Sequence, residues 1–179
     1  MAVGEDGLIV TSTDALVWSV RSAEIDYNPF FQDVIWNGSL FVATGSTIIT
    51  SEDGVTWTEA NHSASGSIRF LSWNDDLLVA SEGGATTYIH TSTDGINWTA
   101  HATAISNIGG IVWNGSQFVA VSNAAVYTST NGVDWAEIGS PNLNLATREI
   151  IWDGGQFVGA EAGGLIVTSF DGVNWTSQT

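Results

Sequence analysis

The sequence predicts an all-β protein: a β-propeller of about five blades, each of four antiparallel strands, with the first blade lacking its inner strand. Three observations predict it. One tryptophan-closed string occurs five times, a second occurs four times, and the chain holds 20 glycines against two prolines. The first string is Thr11-Ser12-Thr13-Asp14-Ala15-Leu16-Val17-Trp18. It returns as Thr50-Ser51-Glu52-Asp53-Gly54-Val55-Thr56-Trp57, and again over 91–98, 128–135 and 168–175. Its tryptophans stand 39, 41, 37 and 40 residues apart. The second string begins Val34-Ile35-Trp36-Asn37-Gly38-Ser39 and has counterparts at 71–76, 111–116 and 150–155; the two strings together hold all nine tryptophans. A period of about 40 residues with alternating apolar positions and turn residues points to one small sheet per repeat.

Each repeat reads as strands A to D. Strand A is Ile111-Val112-Trp113 and its equivalents, and an Asn-Gly type turn leads into strand B, such as Phe118-Val119-Ala120-Val121. A loop of variable sequence leads to strand C, such as Ala125-Val126-Tyr127-Thr128, and the Ser-x-Asp-Gly turn delivers strand D with its tryptophan. In that turn Ser and Asp side chains accept backbone N–H bonds in place of ladder partners, and Gly takes the left-handed position. The predicted turn residues are Ser12 and Asp14, Ser51 and Asp53, Ser92 and Asp94, Ser129 and Asn131, and Ser169 and Asp171. Asn131 keeps the turn chemistry, whereas Ala15 at the Gly position is expected to weaken its turn. The repeats fall at about 1–24 (partial), 25–61, 62–101, 102–139 and 140–179, a single propeller domain.

The recurring Ser-x-Asp-Gly-x-x-Trp resembles the Asp-box, or bacterial neuraminidase repeat, and the resemblance runs through the whole chain. It implies hairpin turns that build propeller blades, usually remote from any active site. The family spans sialidases, sorting-receptor ectodomains, photosystem assembly factors and bacterial or phage surface proteins, so it implies a fold more than a function.

Residues 1–24 supply strands B, C and D but no strand A, and the chain ends just after a strand D. Three arrangements follow: a ring with one three-stranded blade, part of a longer array, or completion by another chain. The last makes a homo-oligomer through the incomplete blade one expectation, because an unpaired edge invites association.

Composition narrows the function classes. There are 19 acidic residues against three basic ones, Arg21, Arg69 and Arg148, for a net charge of -16. Nucleic acid and anionic lipid both need Lys and Arg to displace counterions, so neither is an expected partner. Cysteine is absent, which removes disulfides and thiol chemistry. No signal peptide is visible at the N-terminus and no apolar run reaches the roughly 20 residues of a spanning helix, so no membrane insertion is expected. The histidines, at 62, 90 and 101, have no ligand spacing, and no calcium-loop pattern occurs. No metal or other cofactor is expected.

Strands that run up and down put the A–B and Ser-x-Asp-Gly turns at one end of each blade, nearly alike between repeats. The B–C loops and the D-to-A crossings share the other end and differ from blade to blade, which is where binding sits on a constant frame. The crossings, about 22–33, 59–69, 99–110 and 137–149, carry the candidate ligand-binding residues Tyr27, Phe30, Gln32, Arg69, His101, Asn107, Asn144 and Arg148. Arg69 and Arg148 are equivalent, each four residues before a strand-A tryptophan, with Gln32 and Gly109 in the matching places. Such a pair suits a carboxylate or sulfate, or it offsets acids such as Glu149. Sialidase chemistry, which the resemblance would imply, needs three arginines on the substrate carboxylate; here Arg21 falls on an outer strand and no Arg-Ile-Pro string occurs.

The expected function is therefore a non-catalytic recognition module, on an extracellular or virion surface, that binds a glycan or a protein through its variable end. An architectural or self-assembling propeller is one alternative. A divergent glycoside hydrolase using Asp33 and Glu149, each three residues before a strand-A tryptophan, is another.

Overall fold

The computed structural model describes the chain except residues 24, 26–28, 84–86, 123, 142–146, 162–163 and 179, with backbone only at 87, 147, 148 and 161. It is a β-propeller arrangement of five antiparallel sheets, each an up-and-down meander in chain order. Blade one has three strands, β1 (Ala2–Val3), β2 (Ile9–Thr11) and β3 (Ser19–Arg21). Blade two has β4 (Phe31–Trp36), β5 (Phe41–Gly45), β6 (Ile48–Ser51) and β7 (Thr58–Glu59). Blade three has β8 (Ile68–Trp73), β9 (Leu78–Glu82), β10 (Thr87–Ser92) and β11 (Thr99–Thr103). Blade four has β12 (Ile108–Trp113), β13 (Phe118–Ser122), β14 (Val126–Ser129) and β15 (Ala136–Gly139). Blade five has β16 (Thr147–Trp152), β17 (Phe157–Glu161), β18 (Ile166–Ser169) and β19 (Thr176–Gln178).

The two turn types at one end of the blades use the same chemistry. In the Ser-x-Asp-Gly turns the serine hydroxyl donates to the Asp or Asn Oδ1 at 2.9–3.1 Å in every copy. That same oxygen accepts the N–H groups two and three residues on, as from Ile96 and Asn97 to Asp94 at 2.8 and 2.7 Å. In the A–B turns Asn37, Asn74, Asn114 and Asp153 do likewise, as from Ser39 and Leu40 to Asn37 at 3.0 and 2.7 Å. A short polar side chain thus replaces the ladder where the chain reverses.

Ala15 sits at φ 61, in the left-handed region where Gly54, Gly95, Gly132 and Gly172 also sit. The turn keeps its carboxylate bonds, from Leu16 at 2.8 Å and Val17 at 2.9 Å. It lacks one other. The glycine N–H donates to the serine hydroxyl at 2.8–2.9 Å in the other four turns, and among the described residues Ala15 makes no such bond. Ala15→Gly relieves the Cβ strain and is expected to raise stability by about 0.5–1 kcal/mol, read as a higher denaturant midpoint.

The core lies between blades. Four clusters of buried side chains each bridge two consecutive sheets, for example Ile9 and Ala23 with Ala43, Ile49 and Trp57, or Val42 and Ile48 with Leu71, Leu78 and Trp98. The inner strands pack in series, β4 on β8, β8 on β12 and β12 on β16, with β1 beside β4. The outer edge is laced as well. Asn61, just past β7, donates its N–H to Ile96 O at 2.7 Å and accepts from Trp98 N at 3.0 Å, which ties blade two to the turn of blade three.

Candidate functional site

Each inner strand begins with a slip in register. Pairing with the second strand shifts between Phe31 and Asp33, Ile68 and Phe70, Ile108 and Gly110, and Thr147 and Glu149. The residue left over is Gln32, Arg69, Gly109 or Arg148, so all four blades with an inner strand carry a β-bulge at one equivalent position. A bulge bends its strand and re-aims a side chain, and it is a repeated feature of binding rims. The ladder therefore releases Gln32, Arg69, Gly109 and Arg148 at one level of the blades.

Around that rim, Gln32 donates from Nε2 to Ser67 Oγ, which links blade two to the crossing that enters blade three. Arg69 is exposed and its stem lies over Gly83, where an added Cβ would fall 2.5 Å from Arg69 Cδ. No carboxylate among the described residues pairs with its guanidinium. Phe30 is exposed, held by its N–H to Ser46 Oγ at 3.1 Å. Asn107 is exposed too, at φ 53 ahead of β12.

Asp33 behaves differently from the other rim residues. Its Oδ2 accepts the N–H of Leu71 on the next blade at 2.9 Å, and its Oδ1 accepts Val34 N–H at 2.8 Å. Burial raises its pKa to about 6; the two N–H bonds pull the other way, and the charge of Glu149 adds to the rise. The turn carboxylates go the opposite way. Asp53, Asp94 and Asp171 are held at about 2, chiefly by the backbone N–H of Thr56, Asn97 and Asn174 respectively. A raised folded pKa means that the Asp33 contribution is whole below about pH 4 and lost as pH rises through about 6, a difference of roughly 2–3 kcal/mol. The lowered turn groups contribute stability above about pH 4 that is lost as pH falls toward 2. Thermal stability is thus expected to peak near pH 4, and Asp33→Asn is expected to flatten the fall between about pH 4 and 6. An unchanged slope in the variant would assign that fall to other groups.

One polar cluster escaped sequence reasoning. His90, fully buried on β10, holds Glu82 of β9 at 3.0 Å from Nε2 to Oε1, and Glu82 also accepts Ser65 N–H at 3.2 Å. Beside it His62 accepts Ala64 N–H on Nδ1 at 3.2 Å, so its Nε2 donates to Thr47 Oγ1 at 3.0 Å; Thr47 in turn donates to Glu59. Burial lowers the pKa of His62. The cluster pins the crossing between blades two and three. Its only trace in the sequence is the pairing of β9 with β10, which sets Ser81 opposite Ile89 and so brings Glu82 near His90. Among the described residues no group of three His, Asp or Glu side chains could hold a metal ion.

The rim thus gathers Phe30, Gln32 and Arg69 near the starts of β4 and β8, with Asn107 ahead of β12. His101 does not join them. It lies within β11, an outer strand paired with β10 as far as Thr87 opposite Thr103, and its Nε2 meets Thr91 Oγ1 at 2.9 Å. The crossing there is shorter than 99–110 because β11 continues through Thr103. Tyr27 and Asn144 lie outside the described residues, as does the side chain of Arg148, whose backbone sits at the bulge of β16.

No family model matches the chain, and no curated protein matches it. Solved structures do. A virginiamycin B lyase from Staphylococcus aureus, inactivated and bound to quinupristin, superposes with a TM-score of 0.77 at 15% identity, covering 96% of this chain and 62% of that one. YCF48 bound to a D1 peptide gives 0.68 at 20% identity, over 97% and 61%. An ancestral GH74 enzyme gives 0.66 at 16%, over all of this chain and 30% of its own. The chain spans about three-fifths of the length of the first two. At such identities the shared property is the fold, and by that fold the chain is a β-propeller.

Proposed function

We propose that the chain is a non-catalytic recognition module of the Asp-box type, which binds a glycan or a protein segment through the bulged rim of its inner strands. The observation that carries this reading is the repeated bulge, which frees Gln32, Arg69, Gly109 and Arg148 from the ladder at one level of the blades. The exposed Arg69 guanidinium, without an ion pair among the described residues, suits a carboxylate or sulfate, Phe30 offers an aromatic face to a sugar ring or apolar side chain, and Gln32 and Asn107 offer amides to hydroxyls or peptide groups. The five Ser-x-Asp-Gly turns lie at the opposite ends of the strands, in keeping with a structural role. Among the similar folds, YCF48 is bound to a peptide and the lyase to quinupristin, which supports a ligand-binding reading.

A glycan array and a peptide array with the intact chain test the proposal. Binding to acidic members of either is expected, weakened at least about tenfold by Arg69→Ala, since a lost charged hydrogen bond costs roughly 1.5–3 kcal/mol. Arg69→Ala binding as tightly as the parent would remove the rim from the reading.

A second reading, a divergent glycoside hydrolase, has one observation in its favour: the raised pKa of Asp33 within electrostatic reach of Glu149. Both Asp33 oxygens, however, are already occupied by backbone N–H groups, which favours an inter-blade clamp over a proton donor. Glycoside turnover abolished by either Asp33→Asn or Glu149→Gln would restore the catalytic reading.

A further inference from the structure

The four blade-to-blade interfaces are one packing solution used four times. On strand C of blades one to four (β2, β6, β10 and β14), one residue leans forward onto the next blade, and the strand-D tryptophan of that next blade packs back. The forward residues Ile9, Ile48, Ile89 and Val126 are all 0% exposed; of the receiving tryptophans, Trp57, Trp98 and Trp175 are 7%, 7% and 3% exposed, and Trp135 is half-buried against the same kind of cluster. Five blades in series leave two faces that none of these interfaces covers: the receiving face of blade one and the forward face of blade five. There the equivalent residues are bare. Trp18 is 45% exposed and Ile166 is 46% exposed. Val20, two residues beyond Trp18, and Ile151 of β16, on the same face as Ile166, are exposed as well. Among the described strands, none of blade five packs substantially on one of blade one.

The sequence marks the receiving face of blade one independently. Val20 stands where the other blades have Glu59, Ala100, Glu137 and Ser177, each paired across to the same strand-C position. At a position where the other blades carry polar or small residues, blade one carries a large apolar one. In the superposed lyase, about a hundred residues lie beyond the stretch that this chain covers, enough for two to three further repeats of such a period. In those folds further chain is available to cover such faces.

We propose that the forward face of blade five docks on the receiving face of blade one of a second copy of the chain, head to tail, repeating the internal interface. Each face finds its complement on the molecule itself. The two faces are of opposite kind, so the contact is heterologous and neither face suits its own copy. Their large side chains are apolar while the chain carries a net charge of -16, so the copies attract through surface area and repel through charge. Added salt therefore strengthens the association by screening, where an ion-paired interface would weaken.

Sedimentation velocity of the intact chain over a wide concentration range, at low and high salt, tests the proposal. Species larger than the monomer are expected to grow with concentration and further with salt. Ile166→Glu and Trp18→Glu are each expected to leave only monomer, with circular dichroism showing the parent fold; Val20→Glu serves in place of Trp18→Glu if that variant fails to fold. Mixing the two blocked variants is the decisive arm, because each keeps one intact face: dimers are expected to return and to grow no further. Monomer under every condition, single variants that associate like the parent, or a mixture that stays monomeric would each overturn the proposal. The rim variant Arg69→Ala is expected to associate normally, so failure here and failure of the recognition reading are told apart.

Discussion

Trp98→Ala is expected to lower the unfolding free energy by about 3–5 kcal/mol, whereas Trp18→Ala costs less than about 1 kcal/mol. The two residues close equivalent turns, and each ring N–H donates to the backbone oxygen three residues back, Gly95 at 2.8 Å for Trp98 and Ala15 at 3.2 Å for Trp18. What differs is the neighbour. Trp98 is 7% exposed among Val42, Ile48 and Ala60 of blade two, while Trp18 joins none of the buried clusters among the described residues and stays 45% exposed. Truncating the buried ring leaves a cavity between two sheets, which close packing cannot collapse to fill. Truncating the exposed one removes surface that water already touches. Denaturant titration at concentrations too low for self-association separates the two. Equal losses would mean that the turn, and not the inter-blade contact, holds the energy of the tryptophan.

Gly45→Ala is expected to be at least as damaging, at roughly 3 kcal/mol or more. A Cβ on Gly45 would fall 1.9 Å from Phe30 O and 2.7 Å from Phe31 Cα. Both are backbone atoms and cannot swing aside as a side chain would. They also sit in a bonded frame, since Ser46 N–H donates to Phe30 O at 2.8 Å and Phe31 N–H to Gly4 O at 3.0 Å. The substitution must push the crossing off blade two, and with it Phe30 and the start of β4. Loss of stability and displacement of the rim are expected together. Gly155→Ala makes the control: an added Cβ there meets only Asp153 Oδ1, at 3.7 Å, and no left-handed φ is involved, so a change within about 0.5 kcal/mol is expected. A Gly45→Ala protein as stable as the parent would show that the crossing is free to shift.

Much of this molecule is legible residue by residue. The alternation in Phe118-Val119-Ala120, the Asn-Gly turns and the five Ser-x-Asp-Gly turns are local signals, and each set of turn bonds closes within three residues, as from Asn97 N–H to Asp94. The three-stranded first blade was legible for the same reason, since strands B, C and D were present and no Trp-Asn-Gly string preceded them. The equivalence of Gln32, Arg69, Gly109 and Arg148 could be counted out from the tryptophans. That these four are bulges could not, because a bulge exists only in the pairing of one strand with another, as when Phe31 faces Gly45 and Asp33 faces Thr44.

Other features lay further from local reach. Asp33 reads as one acid among 19, and its raised pKa comes from a neighbouring blade that covers it and supplies the Leu71 N–H. His101 reads as a loop residue because nothing nearby in the chain marks how far β11 continues; its pairing with β10 does. The Glu82–His90 pair is invisible to spacing rules, since the two meet across a hairpin. Most consequential is the fate of the end blades. Turn chemistry sets how each sheet forms, because the groups that bond are a few residues apart. Which sheet faces cover one another is set by contacts between repeats, and there Ile48 is buried while Ile166, its equivalent, stands in water.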